Sequence, residues 1–216
     1  NTGNLSGTIG KSASDNAASE LSLGGILGTN FASSLGRIYN TGELRGSVQS
    51  GCELVMGGIE GSDGGEYADG GRSIQLAYNT GNILAQAELH AVTDDEDEDS
   101  DYSLACIGGI SGDPAGMIQN AYNAGNIRLD LTYSGSTERL LTGIGGISGL
   151  NGGKISNVYN TGSVQETVVN APAYVGGVIG NNLAATFKDA DEDDWRYKGS
   201  ISQAVYANDI AGTAAA

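Results

Sequence analysis

A turn written over and over constrains this chain more tightly than any single motif does. "RIYNTGEL" occupies 37–44, "LAYNTGNI" 76–83, "NAYNAGNI" 120–127 and "NVYNTGSV" 157–164. The chain opens on "NTGNL", and "VYANDI" at 205–210 reads as a degenerate copy. The tyrosines fall at Tyr39, Tyr78, Tyr122, Tyr159 and Tyr206, at intervals of 39, 44, 37 and 47 residues. A second motif alternates with the first: "LGGILG" at 23–28, "MGGIEG" at 56–61, "IGGISG" at 107–112 and 144–149, and "VGGVIG" at 175–180. Two interlocked motifs in constant order mark a repeat architecture.

The turn residues suggest their conformation. Asn and Gly tolerate positive φ, and they hold fixed positions: Asn40, Asn79, Asn123 and Asn160, then Gly42, Gly81, Gly125 and Gly162. After each turn the apolar residues alternate. Leu44 and Val48 do so in one copy; Ile83, Ala85, Ala87 and Leu89 in the next; then Ile127, Leu129 and Leu131; then Val164 and Val168. That is strand periodicity with one buried face. Helical periodicity is weak everywhere, the best stretch being 13–22.

Each repeat is thus expected to hold about three short strands: one before the Tyr, one after the turn, and the Gly-Gly segment. A unit so small cannot bury its own apolar face, but stacked units can. The predicted fold is all-β, a parallel β-solenoid of about five coils rising about 24 Å. Residues 1–216 read as a single domain, with acidic insertions near 90–104 and 184–199. In such a stack equivalent residues lie above one another. Asn1, Asn40, Asn79, Asn123 and Asn160 are therefore expected to form a ladder of amides bonding from coil to coil. The residue before each Tyr (Ile38, Ala77, Ala121, Val158 and Val205) is apolar and should face the core.

"GGISG…GKISNVYNTGSV" resembles the GLUG repeat of bacterial surface and secreted proteins. These include adhesin-like proteins and non-catalytic regions of immunoglobulin-A-cleaving metalloproteases. The resemblance covers most of the chain. It implies an extracellular or cell-surface location and supplies no catalytic residues.

Composition narrows the partners. Gly makes up 36 of 216 residues, about twice the usual share, yet no Gly-X-Y period exists and collagen is excluded. A hydrophobic fraction of 39% argues against a disordered linker. The net charge is −16, and no Lys/Arg cluster offers a surface to nucleic acid or anionic lipid. No apolar run reaches the roughly 18 residues of a membrane helix, so membrane insertion is not expected. The start within a motif suggests a processed or excised N-terminus.

Two acidic runs are the sharpest candidates for a site. "DDEDEDSD" contains Asp94, Asp95, Asp97, Asp99 and Asp101, and "DADEDDW" contains Asp189, Asp191 and Asp193. Clustered hard oxygen ligands suit Ca²⁺, against the alternative of a solvated, self-repelling loop. Neither run matches an EF-hand. Cys52 and Cys106 precede consecutive Gly-Gly motifs and form a possible disulfide, though their offsets differ in parity.

Enzymatic chemistry finds little support. The one histidine, His90, sits on an alternating strand, and no nucleophile motif accompanies it. Lys188, Arg196 and Lys198 flank the second acidic run and read as charge balance rather than as a lyase site. The expected function is a structural or adhesive solenoid. Its partners would be copies of itself stacked end to end or a host or cell-surface ligand. End-to-end stacking is suggested because the chain begins and ends on the turn motif, as if it held an integral number of coils, and no cap is evident. The alternative is a glycan-binding module using exposed tyrosines such as Tyr67, Tyr102 or Tyr133 as stacking platforms.

Overall fold

The alternation after each turn produces one face of a parallel β-solenoid. The computed structural model describes residues 1–10, 20–31, 34–51, 53–63, 72–90, 103–114, 116–137, 140–188 and 194–215. The first face contains Leu5–Ile9, Leu44–Gly51, Ile83–His90, Ile127–Ser134, Val164–Val169 and Ile210–Ala215. The tyrosine-bearing face contains Ser34–Asn40, Ser73–Asn79, Met117–Asn123, Lys154–Asn160 and Ser200–Tyr206. On every face each strand pairs with its equivalent in the next coil, in parallel and in sequence order. The stretch predicted as a weak helix lies partly outside the described residues, and its end belongs to the strand Glu20–Gly24.

Each coil has four strands rather than the three expected, because the Gly-Gly motif is a corner between two of them. Glu20–Gly24, Glu53–Gly57, Ser103–Gly108, Leu140–Gly145 and Val175–Gly176 run into it. Leu27–Thr29, Glu60–Ser62, Ser111–Asp113, Ser148–Asn151 and Ile179–Asn182 leave it. Both glycines are sterically required. A Cβ on Gly108 would overlap the Ser111 carbonyl oxygen, and one on Gly109 would overlap the Gly146 carbonyl oxygen of the next coil.

The core follows the predicted periodicity. Leu44, Ile83, Ile127 and Val164 stack in register and are buried, as are Val48, Ala87, Leu131 and Val168 four residues further along each strand. A second cluster gathers Ile74, Ala77, Ile118, Ala121, Ile155 and Val158 behind the tyrosine-bearing strands. Val55, Cys106 and Leu150 make a third, smaller cluster. Each such aliphatic side chain contributes about 1.5–3 kcal/mol when fully buried.

The bend lies elsewhere than the turn chemistry implied. None of the repeated turn glycines has positive φ; apart from Asn170 (φ 61°), the left-handed non-glycine residues among those described are Arg37, Leu76, Asn120, Asn157 and Gln203, with φ of 57°, 54°, 55°, 52° and 51°. They share one position, two residues before the aligned tyrosines. The turn glycine is required for a different reason: a Cβ on Gly125 would overlap the Gly81 carbonyl oxygen of the preceding coil.

Among the described residues the first face has six strands and the other three have five each. One further expectation is corrected: Tyr206 does not occupy the tyrosine position. Val205 pairs with Tyr159, and Tyr206 pairs with Asn160, because the last copy is one residue out of step. Within the second insertion, Ala184–Lys188 and Asp194–Lys198 form an antiparallel hairpin.

Candidate functional site

The asparagines repeated in register at the turn form a continuous amide ladder. Asn1 Nδ2 donates to Asn40 Oδ1 at 3.0 Å, Asn40 to Asn79 at 2.9 Å, Asn79 to Asn123 at 2.8 Å and Asn123 to Asn160 at 2.8 Å. Each Nδ2 also donates to the carbonyl two residues on, and each Oδ1 accepts the N–H of that same glycine, as at Asn123 and Gly125. The interior amides thus use both donors and both acceptor positions. Asn40, Asn79, Asn123 and Asn160 are fully buried. The ladder stops where Tyr206 replaces the next asparagine. Asn160 Nδ2 turns instead to Gly177 O at 2.9 Å, and the Tyr206 hydroxyl bonds the Asp209 carbonyl.

The adjacent tyrosines point outward. Tyr39, Tyr78, Tyr122 and Tyr159 share one register position. The rings of Tyr39 and Tyr78 stack with centroids 5.0 Å apart and an interplanar angle of 4°. Those of Tyr122 and Tyr159 stack at 5.5 Å and 14°. Tyr39, Tyr78 and Tyr159 are exposed and Tyr122 is half-buried. Tyr122 Oη lies 3.3 Å from Thr161 Oγ1. Parity could have revealed this orientation, since each Tyr lies between two inward residues.

Two places break the repeat with buried acids that pattern reading missed. Glu60 occupies the row of Leu27 and Ser111 and is 2% exposed. Asn30 Nδ2 donates to one of its oxygens at 2.9 Å and Ser111 Oγ to the other at 3.2 Å. Beside it, Arg72 Nε pairs with Asp63 at 2.7 Å, and Gly116 N donates to Asp63 at 3.0 Å. Burial pushes the Glu60 carboxyl up to about 7, against the Asn30 hydrogen bond. Asp113 is also pushed up to about 7, by burial and then by Asp63 and Glu60. Its Oδ1 has no hydrogen-bond partner among the described residues. Glu53 reaches about 7 through burial, Glu20 and Asp113.

The second break is Glu166. It stands in the inward row between Leu129 and Gly212. Neither of its oxygens is within full hydrogen-bond geometry of a partner among the described residues. Burial raises it to about 7, and the nearby Tyr174 backbone N–H opposes this only weakly. The signal was available: Glu166 falls on the buried parity between Val164 and Val168.

The outer side of the first face carries an open groove of about 530 Å³, lined among others by Ser6, Thr8, Arg45, Ser47, Gln86 and Arg128. Both arginines are tethered within their own coil, Arg45 Nε to Glu43 at 2.6 Å and Arg128 Nε to Asp130 at 3.0 Å.

The residues predicted as a calcium site (Asp94, Asp95, Asp97, Asp99, Asp101, Asp189, Asp191 and Asp193) lie outside the described residues, as do Tyr67 and Tyr102. Among the described residues no group of three His, Cys, Asp or Glu side chains is placed to hold a metal ion. Cys106 is a buried free thiol. It pairs in register with Val55, and Cys52 lies outside the described residues. Tyr133 is not an exposed platform: it is fully buried, with its hydroxyl donating to Ser136 O at 3.0 Å.

No family model, curated protein or solved structure matches this chain.

Proposed function

We propose that this chain is a non-enzymatic structural or adhesive solenoid of an extracellular or cell-surface protein, of the GLUG-repeat type that its motifs resemble. One observation carries the reading: the repeated side chains are spent on the scaffold itself. The buried asparagines saturate one another's amides, and the tyrosines cover one another's ring faces. Nothing of the repeated signature is left over for a small-molecule substrate. The two breaks in the pattern, Glu60 and Glu166, are shut away from solvent at 2% and 3% exposure.

End-to-end assembly is a second form of the same reading, supported by the apolar side chains of Ile201, Val205 and Ile210 that the last described coil exposes.

Beads coated with the purified chain provide the test. They are expected to bind host matrix or cell surfaces, while turnover on uronic-acid polymers stays at background. Turnover above background would overturn the reading. Electron microscopy of the free chain separates the two forms: short separate rods would favour adhesion alone, and long filaments the assembling form.

A second reading is supported by the first-face groove, where Thr8, Ser47, Gln86 and Asp130 stack in register as one polar row at about the 4.8 Å strand spacing. A linear glycan lying along the solenoid axis would meet one residue of that row per coil. Oligosaccharide binding that Gln86→Ala and Arg128→Ala weaken would favour this module over a purely structural role.

A further inference from the structure

We propose that the exposed tyrosine file is a site of oxidative cross-linking, where in-register tyrosines of adjacent coils join covalently. The reading is independent of whether the chain adheres to anything. It rests on proximity, orientation and access together.

Proximity comes from the register. Tyr39 pairs with Tyr78, Tyr78 with Tyr122 and Tyr122 with Tyr159, so each ring is fixed beside another at the strand spacing. Ring centroids 5.0 Å and 5.5 Å apart leave the ring carbons ortho to the hydroxyl within a side-chain rotation of their counterparts. Held together this way, two radicals formed on one molecule meet each other before they meet a second molecule. Access comes from exposure: Tyr39 is 42% exposed, and Tyr78 and Tyr159 are 40% exposed. Tyr122 is half-buried and stacks on the exposed Tyr159.

The chemistry requires a one-electron oxidant, and the class named here is a haem peroxidase using hydrogen peroxide. Each of two phenols gives up one electron and one proton, breaking its O–H bond and leaving a phenoxyl radical. The radicals couple through one ortho carbon each, forming a carbon–carbon bond. Each coupled ring then loses its ortho hydrogen as a proton while its oxygen regains one, restoring two phenols. The two electrons and two protons reduce one hydrogen peroxide to two waters. No other atom is gained or lost.

Other tyrosines supply the contrast. Tyr133 is fully buried, so an oxidant does not reach it. Tyr174 is 44% exposed but lies outside the file. Exposure alone would make Tyr174 as reactive as Tyr39, whereas the file predicts coupling only between in-register neighbours. A link of this kind closes a long loop between coils, so it restricts the unfolded chain more than the folded one.

The experiment treats the dilute, folded chain with hydrogen peroxide and a haem peroxidase, follows dityrosine fluorescence and maps the digest by mass spectrometry. Products of monomer size are expected, with Tyr39, Tyr78, Tyr122 and Tyr159 joined only to in-register neighbours and a melting temperature above that of the untreated chain. Tyr39→Phe should abolish every link at position 39 and retain that between Tyr122 and Tyr159. Tyr174→Phe should change nothing. The proposal is overturned if the links are mainly between molecules, if they scatter as they do in the urea-unfolded chain, or if Tyr174→Phe removes as much product as Tyr39→Phe.

Discussion

The Asn79 side chain donates to Asn123 Oδ1 at 2.8 Å across a boundary between coils where both residues are fully buried. Asn123 passes the bond on to Asn160 while holding both polar groups of Gly125. Truncating it removes one of the two acceptors of Asn79 Nδ2 and one of the two donors to Asn160 Oδ1, which keep only their turn glycines Gly81 and Gly162. A buried polar group left short of a partner costs about 1–3 kcal/mol, so Asn123→Ala should lose about 3 kcal/mol in urea denaturation. Asn1→Ala, at the half-buried end of the ladder, should lose about 1 kcal/mol or less. Equal losses at the two sites would argue that the ladder adds nothing beyond the local turn.

Leu76 gives a prediction of the opposite sign. It has φ of 54° and 52% exposure, so it endures a left-handed backbone without gaining core contacts. The equivalent residues in the next two coils are Asn120 and Asn157, whose side chains bond each other. Asparagine tolerates this conformation better than leucine. Leu76→Asn should therefore stabilise the chain by about 0.5–1 kcal/mol, read as a higher denaturation midpoint. A loss of stability would mean that Leu76 makes an apolar contact outweighing its strained backbone.

Gly125 tests why the turn glycine is invariant among the well-formed copies. Its φ is not positive, so conformational freedom is not the reason. A Cβ there would instead strike the Gly81 carbonyl, with the Asn79 amide close behind. Backbone on both sides must move to admit it, and Gly125→Ala should cost roughly 3 kcal/mol or more. Gly10→Ala is the control, since no described residue comes within 4 Å of its Cβ position. Similar melting temperatures for the two variants would overturn the steric account.

These cases show what was legible in the residues. Alternation after each turn disclosed the solenoid and its first-face core, because period-2 patterning maps directly onto inward and outward positions. The asparagines pointed to stacking because one amide recurs at one place in the repeat, although five separate turns with the same chemistry would read alike in the sequence. The left-handed position stayed hidden, since Arg37, Leu76 and Gln203 carry no glycine signal and the coil imposes the bend from outside. The Gly-Gly corner was read as one strand because sterics between coils, rather than local propensity, require both glycines. Tyr206 misled because a one-residue slip in the last copy leaves the motif recognisable while moving the ring into the asparagine row. Glu60 and Glu166 were overlooked because acids are expected at the surface, although parity placed Glu166 inside.

Those buried acids should invert the usual response to pH. Glu53, Glu60, Asp113 and Glu166 lie near 7 in the folded chain, raised first by burial. In the unfolded chain they return to the ordinary carboxylate range near 4. Between about 4 and 7 the folded state therefore holds more protons than the unfolded one, and stability falls as pH rises. The melting temperature should be higher at pH 5 than at pH 8. Glu166 isolates one contribution, since neither of its oxygens is within full hydrogen-bond geometry of a partner among the described residues and no base stands beside it in the row of Leu129 and Gly212. Glu166→Gln cannot ionise, so it should raise stability at pH 8 by about 1–3 kcal/mol and change it little at pH 5. A Glu166→Gln variant with the same pH dependence as the parent would show that the carboxyl titrates normally, and that water reaches it in the folded solenoid.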